Sequence, residues 1–337
     1  MRRLIYILLL MITLIGCKSR NEIQYSWDPT YNIEVLWDII DTKYCFVEDK
    51  GIDWGAIRGQ YMSKAQTLKT GDQVALFDLC ASMLDSLHDG HVNIYTSFDI
   101  SRNKAWYDTF PDNFYADQQD EYLKDYRIAG SLRYTTIDNG KIGYVYCPSF
   151  STPISANNIY WVITAFKDNC RGMIIDVRNN GGGDLSNAYM LASAFVQSDT
   201  HVGYWRHKSG SGHNDYSSAA KLTVMAKECP SKWLRPVVVL SNRQSYSATN
   251  FFINCMTQMP QATIIGGKSG GGGGMPLSYE MPCGWTVRFS SVKMYDVSMK
   301  SIEEGIEPDI KVTTNKTDTK DEIIEKAIQI IHAKTGN

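Results

Sequence analysis

Met173-Ile174-Ile175-Asp176-Val177-Arg178-Asn179-Asn180-Gly181-Gly182-Gly183-Asp184 reads as a short buried strand that runs into a glycine loop. An amphipathic helix is expected directly after it, over residues 185–196. Strand, glycine loop and helix in that order form a βα unit whose helix start is receptive to anions, and consecutive glycines let backbone amides approach a ligand closely. The G-x-G-x-x-G spacing is not matched and no acidic strand end follows at the right distance, which excludes a dinucleotide site. Taken alone, the loop is equally well a tight turn with no ligand.

A second unit of the same kind follows. The β-branched run at 236–240 leads through Arg243-Gln244-Ser245-Tyr246-Ser247-Ala248-Thr249-Asn250 into a segment, 250–259, that can wind as a helix. A small hydroxyl residue at a strand-to-helix turn is where many hydrolases hold a nucleophile, because the helix N-terminus favours developing negative charge. Ser, Thr and Asn also cap helices, so Ser245, Ser247 and Thr249 read on their own as capping residues.

Outward from these two units, residues 31–87 pattern as helices, with Asp53 as the N-cap of one of them. The helices end at Leu87-His88-Asp89-Gly90-His91-Val92-Asn93, where Asp-Gly makes a turn and a strand follows, placing His91 to face a cleft. Residues 97–132 are aromatic and polar with a candidate helix at 115–126. A hairpin turns at Asp138-Asn139-Gly140, and a helix is expected over 153–167. After a strand at 262–266, Gly267-Lys268-Ser269 and the run 270–274 miss the Walker pattern by one residue, because Ala262 holds the first glycine position. Five glycines read as a mobile loop. A hairpin of 277–281 with 285–289 and a closing helix at 320–333 complete the chain.

The 337 residues are 43% hydrophobic and 21% charged, with a net charge of -2. This is enough chain to bury a substantial core, and without a basic stripe it offers no footprint for nucleic acid. Met1-Arg2-Arg3, an apolar run to Ile15 and Leu14-Ile15-Gly16-Cys17 describe a secretory signal. Leu-x-Gly-Cys resembles the bacterial lipobox, which implies acylation at Cys17 and a lipid-anchored, periplasm-facing protein of the cell envelope. Setting Cys17 aside leaves seven cysteines with no metal or redox spacing, so buried free thiols are expected in place of a disulfide framework. No motif calls for a metal or cofactor.

Four blocks together resemble the tail-specific, or C-terminal-processing, serine peptidases and the tricorn protease core. They are Leu-x-Asp-Gly-His ending at His91, Ile-Asp-Val-Arg-Asn-Asn-Gly-Gly-Gly ending at Gly183, Ser247-Ala248, and Gly305-Ile306-Glu307-Pro308-Asp309. The resemblance implies an α/β, ClpP/crotonase-like core. With the readings above, the chain is expected to divide into a signal at 1–16, a linker at 17–30, an N-terminal helical domain at 31–90 and a peptidase domain at 91–337, with no inserted PDZ domain. The resemblance further implies acyl transfer on peptides or unstructured protein segments, with Ser247 as nucleophile and His91 as base. Ala248 and a glycine of the Gly181-Gly182 pair would hold the oxyanion, Glu303 or Glu304 would orient the imidazole, and Ser245 keeps a capping role. Asp176, Arg178 and Asn180 are expected to shape the loop. Two features depart from the Ser/Lys members: the glycine run stands where they carry Gly-Lys-Gly, with Lys268 too early in the loop, and Asn250 replaces their glutamate. These departures leave a catalytically inactive peptide- or ligand-binding lipoprotein as the alternative, ahead of a carbohydrate-binding one suggested by the aromatic content.

Overall fold

The computed structural model describes residues 25–336; the signal, the lipobox and Cys17 lie outside them. Two sheets organise the chain. The larger has seven strands in the order β12-β9-β8-β5-β4-β3-β2, namely Ile310–Lys311, Ala262–Gly266, Val237–Ser241, Gly172–Asp176, Ile142–Tyr146, Leu132–Ile137 and Arg127–Ala129. β4, β5, β8, β9 and β12 run parallel, and the hairpin expected around residues 138–140 adds β3 and β2 antiparallel at one edge.

Buried parallel strands must satisfy two apolar faces at once. Met173, Ile175, Val237, Val239 and Ile264 enter one core. It is completed by α6 (Ala156–Phe166), α7 (Leu185–Ser193) and α8 (Ala248–Met256), numbered in chain order. Ile174, Val238, Leu240 and Ile265 face the other way, against the closing helix α9 (Glu322–Thr335).

The second sheet is antiparallel, ordered β1-β11-β6-β7 with β10 also on β11: Asn93–Tyr95, Thr286–Tyr295, Thr200–His207, Ala220–Val224 and Gly274–Glu280. The helices α1 (Pro29–Lys43), α2 (Trp54–Ala65) and α3 (Gln73–Asp85) share a third core with it, where Leu36, Trp54 and Leu84 meet Ile94, Val287 and Phe289. Asp53 caps α2 as expected, accepting the Ala56 N–H at 2.9 Å. All seven described cysteines are buried and free.

Two expectations are corrected, and one pair of strands is added to them. The candidate helix at 115–126 shrinks to one turn, α5 (Ala116–Asp120), after another single turn, α4 (Ala105–Asp108). This segment is a strap across the carboxyl edge of the large sheet: Asn113 Nδ2 donates to the Val312 carbonyl, Asn242 Nδ2 to the Asp112 carbonyl, and Gln119 Nε2 to Asp176 Oδ2. The pair β6 and β7 has no counterpart in the sequence reading. The glycine run 270–274 is buried and packed, with Gly271 and Gly272 at φ of 82° and 74°. A Cβ on Gly271 would stand 1.8 Å from the Glu303 carbonyl oxygen, so these glycines serve close backbone approach and not mobility.

Arg178, fully buried, joins the layers. It donates to both oxygens of Asp176 at 3.0 and 2.6 Å, and its Nη1 lies 2.8 Å from Asp321 Oδ2. Asp321 in turn caps α9 through the Ile323 and Ile324 amides. Arg178→Met should leave two buried carboxylates without their counter-charge and destabilise the fold by about 3–5 kcal/mol. Urea unfolding compared with wild type checks this; a loss near zero would show that the network carries no weight.

Candidate active site

β5 and β8 are parallel neighbours, and the loops that leave their carboxyl ends meet above the sheet. The β8 loop carries Ser247 at φ 59° and ψ -121°, a conformation unfavourable for a residue with a Cβ. Backbone bonds fix it there: the Ser247 N–H donates to the Gly271 carbonyl at 2.8 Å and the Tyr246 N–H to the Asn180 carbonyl at 3.0 Å. Ser247 is the N-cap residue of α8, yet its hydroxyl makes no capping bond. Ser245, expected to cap, instead donates through Oγ to the Val177 carbonyl at 2.9 Å and ties the two loops together.

The free hydroxyl meets a histidine from the other end of the chain. His91 Nε2 lies 2.9 Å from Ser247 Oγ. The turn before β1 positions the ring: Asp89 Oδ1 accepts the His91 N–H at 2.7 Å, and Asp89 Oδ2 accepts the Tyr44 hydroxyl at 2.8 Å. Tyr246 packs against the imidazole with ring centres 4.8 Å apart, and Trp106 stacks on the far side of Tyr246 at 4.1 Å. Gly90 has to be glycine, because a Cβ there would stand 2.5 Å from Trp106 Nε1.

Of the two candidate acids, Glu303 is buried and Glu304 is exposed. Glu304 lines a separate cavity of about 420 Å³ with Lys50, His88, Trp106 and Arg243. Glu303 Oε1 stands 3.6 Å from Lys50 Nζ, while Glu303 Oε2 and His91 Nδ1 are both buried without a hydrogen-bond partner among the described residues. Burial, reinforced by the Asp89 charge, outweighs Lys50 and holds the Glu303 carboxyl well above the usual carboxylate range. Neither glutamate bonds to the imidazole.

The glycine loop supplies the opposite wall. Gly182 approaches so closely that a Cβ would lie 2.8 Å from Ser247 Cβ. Its N–H, however, donates to Asn180 Oδ1 at 2.9 Å and is not available to a ligand. Gly181 is exposed, and the residues that line the cleft with Ser247 and Ala248 are Gly183 and its neighbours. Asn180 Nδ2 donates to the Cys147 carbonyl, so Asp176, Arg178 and Asn180 shape the loop as the sequence suggested. Lys268 pairs with Glu307 at 3.7 Å and does not line the cleft. Asn250, in place of a glutamate, accepts from Ser269 Oγ and donates to the Ile302 carbonyl, fastening α8 to the chain before Glu303.

The profile of peptidase family S41 matches residues 141–312, about half of the chain, and that of the tricorn protease C1 domain matches residues 28–85. The chain belongs to peptidase family S41. A structure from Parabacteroides merdae, named as that of a peptidase, is 42% identical, covers 90% of this chain and 96% of its own, and superposes with a TM-score of 0.84. Mature CPAF has the same fold at 12% identity, over 90% of this chain and 96% of that one, with a TM-score of 0.67. A Staphylococcus epidermidis protein named as a CtpA-like serine protease is 26% identical over 178 residues, 52% of this chain and 35% of that one. This S41 chain thus spans about a third of the length of the curated relatives it matches.

Burial is the main influence on His91 and lowers its pKa from 6.5 to about 4; Arg288 and Lys50 push the same way and Asp89 opposes them. Between those values the unfolded chain takes up a proton that the folded one refuses. Stability therefore falls as pH drops through this window, by up to about 3 kcal/mol at about 1.36 kcal/mol per unit. Urea midpoints at pH 7 and pH 4.5 should draw closer together in His91→Gln than in wild type. An unchanged difference would mean that His91 titrates normally.

Proposed function

We propose that the protein is a serine peptidase that cleaves peptides or unstructured protein segments by acyl-enzyme chemistry. The observation that carries this reading is the 2.9 Å contact between His91 Nε2 and a serine hydroxyl held on a strained strand-to-helix turn. His91 takes the Ser247 proton as Oγ bonds to the scissile carbonyl carbon, and returns it to the amine as the C–N bond breaks. A water then repeats the sequence and releases the acyl group. Ala248 at the start of α8 and Gly183 across from it line the cleft, and their amides would donate to the developing oxyanion. The imidazolium formed in the first step draws the buried Glu303 carboxyl toward ionisation, which gives Glu303 a role in stabilising His91 in its charged state.

The cleft at Ser247 has a volume of about 250 Å³ and an apolar side formed by Leu185, Phe251, Met275 and Met294, which suits an apolar substrate side chain next to the scissile bond. The base arrives from the Asp89-Gly90-His91 turn, so the absence of a dyad lysine no longer argues for a non-catalytic protein. The C-terminal-processing reading is supported by the S41 membership and by the CtpA-like relatives. The Leu14-Ile15-Gly16-Cys17 sequence supports anchoring of the enzyme to the cell envelope through a lipid on Cys17.

A fluorophosphonate probe should label wild type and not Ser247→Ala. His91→Ala should lower kcat by about 10²–10⁴, the usual contribution of a general base, while Lys268→Ala stays close to wild type. Loss of activity in Lys268→Ala with retention in His91→Ala would overturn the assignment of the base. Cys17→Ser should move the protein from the membrane fraction to the soluble fraction; persistence in the membrane fraction would refute the anchor.

A further inference from the structure

Four exposed apolar side chains gather at the end of the antiparallel sheet where β10 turns into β11. Tyr25, Phe98, Leu277 and Tyr279 are 72%, 47%, 52% and 40% exposed. Their contacts place them around that one turn. Tyr25 donates its hydroxyl to Glu280 Oε1 at 2.8 Å, and Ser26 donates its N–H to the Pro282 carbonyl at 2.9 Å. Phe98 packs on Trp285, the residue before β11, with ring centres 6.0 Å apart. Leu277 stands opposite Phe289 and Tyr279 opposite Val287, so both share the sheet face that carries the helical core. That core covers Val287 and Phe289 and stops short of the strand beside them, β10, which pairs with β11 alone among the described residues. A single exposed apolar side chain is ordinary, whereas a contiguous group marks a contact surface.

The chain itself brings an occupant to this surface. Tyr25 stands eight residues after Cys17, and a stretch of that length reaches at most about 28 Å. A lipid on Cys17 therefore keeps a bilayer within reach of the four side chains at all times. Tethering makes contact between patch and bilayer an intramolecular event, with an effective concentration on the order of millimolar, whereas a second copy of the chain has to arrive from solution. Tyrosine suits the headgroup region, where the ring is buried and the hydroxyl stays wet. The Glu280 carboxylate among these side chains removes attraction to anionic headgroups as the driving force and leaves apolar burial. We propose that the patch of Tyr25, Phe98, Leu277 and Tyr279 rests on the surface of the bilayer that holds the Cys17 lipid, so that the protein is docked on the membrane and does not swing free on its leash. This rests on the lipid-anchor reading of Cys17. β10 also lines the cleft through Gly274, Met275 and Pro276, so docking holds the cleft within about 20 Å of the bilayer, one strand length.

Because the seven described cysteines are buried, a thiol-reactive fluorophore marks a cysteine placed at the surface. Leu277→Cys, Phe98→Cys and a control, Leu234→Cys, are made in the full lipidated chain and labelled with bimane. Leu234 is exposed as well, but it lies just before β8, at the end of the large sheet away from the site. Each protein is reconstituted into phosphatidylcholine vesicles with and without bromine on the acyl chains, after an unchanged melting temperature has shown it to be folded. Bimane at positions 277 and 98 should shift to the blue on reconstitution and lose most of its emission to bromine, while bimane at 234 keeps its emission. Quenching at 277 and 98 no greater than at 234 overturns the proposal. So does a blue shift at 277 that grows with protein concentration in detergent and is indifferent to bromine, since it identifies a second copy of the chain on β10. If wild type does not float with the vesicles, the anchor reading itself has failed and the docked patch falls with it. Flotation without quenching leaves the anchor standing and removes only the patch.

Discussion

The buried Arg178 guanidinium sets where the site can be. It lies at the point where β5 becomes the glycine loop, in contact with Asp176 from the strand and with Asp321 from the start of α9, while Phe114 of the strap covers it at 5.1 Å from the ring centre. Burial alone would lower its pKa; the carboxylates overcome this and keep it charged. Taking three charges out of water is costly, and apolar residues of similar volume would pack the same space at least as well. What the network adds is register. Asp176 accepts from Arg178, Tyr144 and Gln119 at once, so the loop, the neighbouring strand and the strap each have one low-energy position relative to β5. Those positions bring Gly182 against Ser247.

That contact matters because Ser247 is held in an unfavourable conformation. A serine at positive φ and extended ψ persists only when its surroundings over-determine it. Here the Ser247 amide is bound by Gly271, the Tyr246 amide by Asn180, and the hydroxyl is left to His91. Side chains at Gly182 or Gly271 would collide with Ser247 or with the Glu303 backbone. The two glycine loops are therefore the two walls of one mould, and the strain they impose directs Oγ into the cleft instead of into the capping bond a serine at this position would ordinarily form.

These relations explain what could be read from the sequence. The parallel strands were legible because 173–177 and 236–240 are apolar on both faces, and Ser247 and His91 were legible because each sits in a local pattern with a chemical consequence. The roles of Trp106, Lys50, Asp89 and Arg288 were not, since each depends on a contact between segments far apart in sequence. Arg288 looks like an ordinary residue in an alternating strand; only the packing of the helices on the opposite face of β11 identifies its side as the one toward the cleft. The glycine run was misread because composition reports how freely a chain can bend and says nothing about what packs against it. Gly182 illustrates a finer limit. Its place beside Ser247 follows from the motif, but the capture of its N–H by Asn180 Oδ1 depends on one side-chain rotamer.

The electrostatics of His91 follow from the same packing. Tyr246, Trp106 and the helical core exclude water from His91, and with Arg288 and Lys50 nearby the neutral imidazole is favoured. A base with so low a pKa is always deprotonated at neutral pH, which helps, but it is weak, which does not. In the reaction we propose, the balance shifts once the tetrahedral intermediate forms, because its oxyanion places a negative charge in the site and the substrate displaces solvent from the remaining cleft. On that reading Glu303 would act as a reserve of charge. Burial and Asp89 push the pKa of its carboxyl up, and an imidazolium at His91 would favour its ionisation. Two buried groups that are each unfavourable when charged alone would support one another when charged together, which is the part we propose for Glu303 beside a protonated His91.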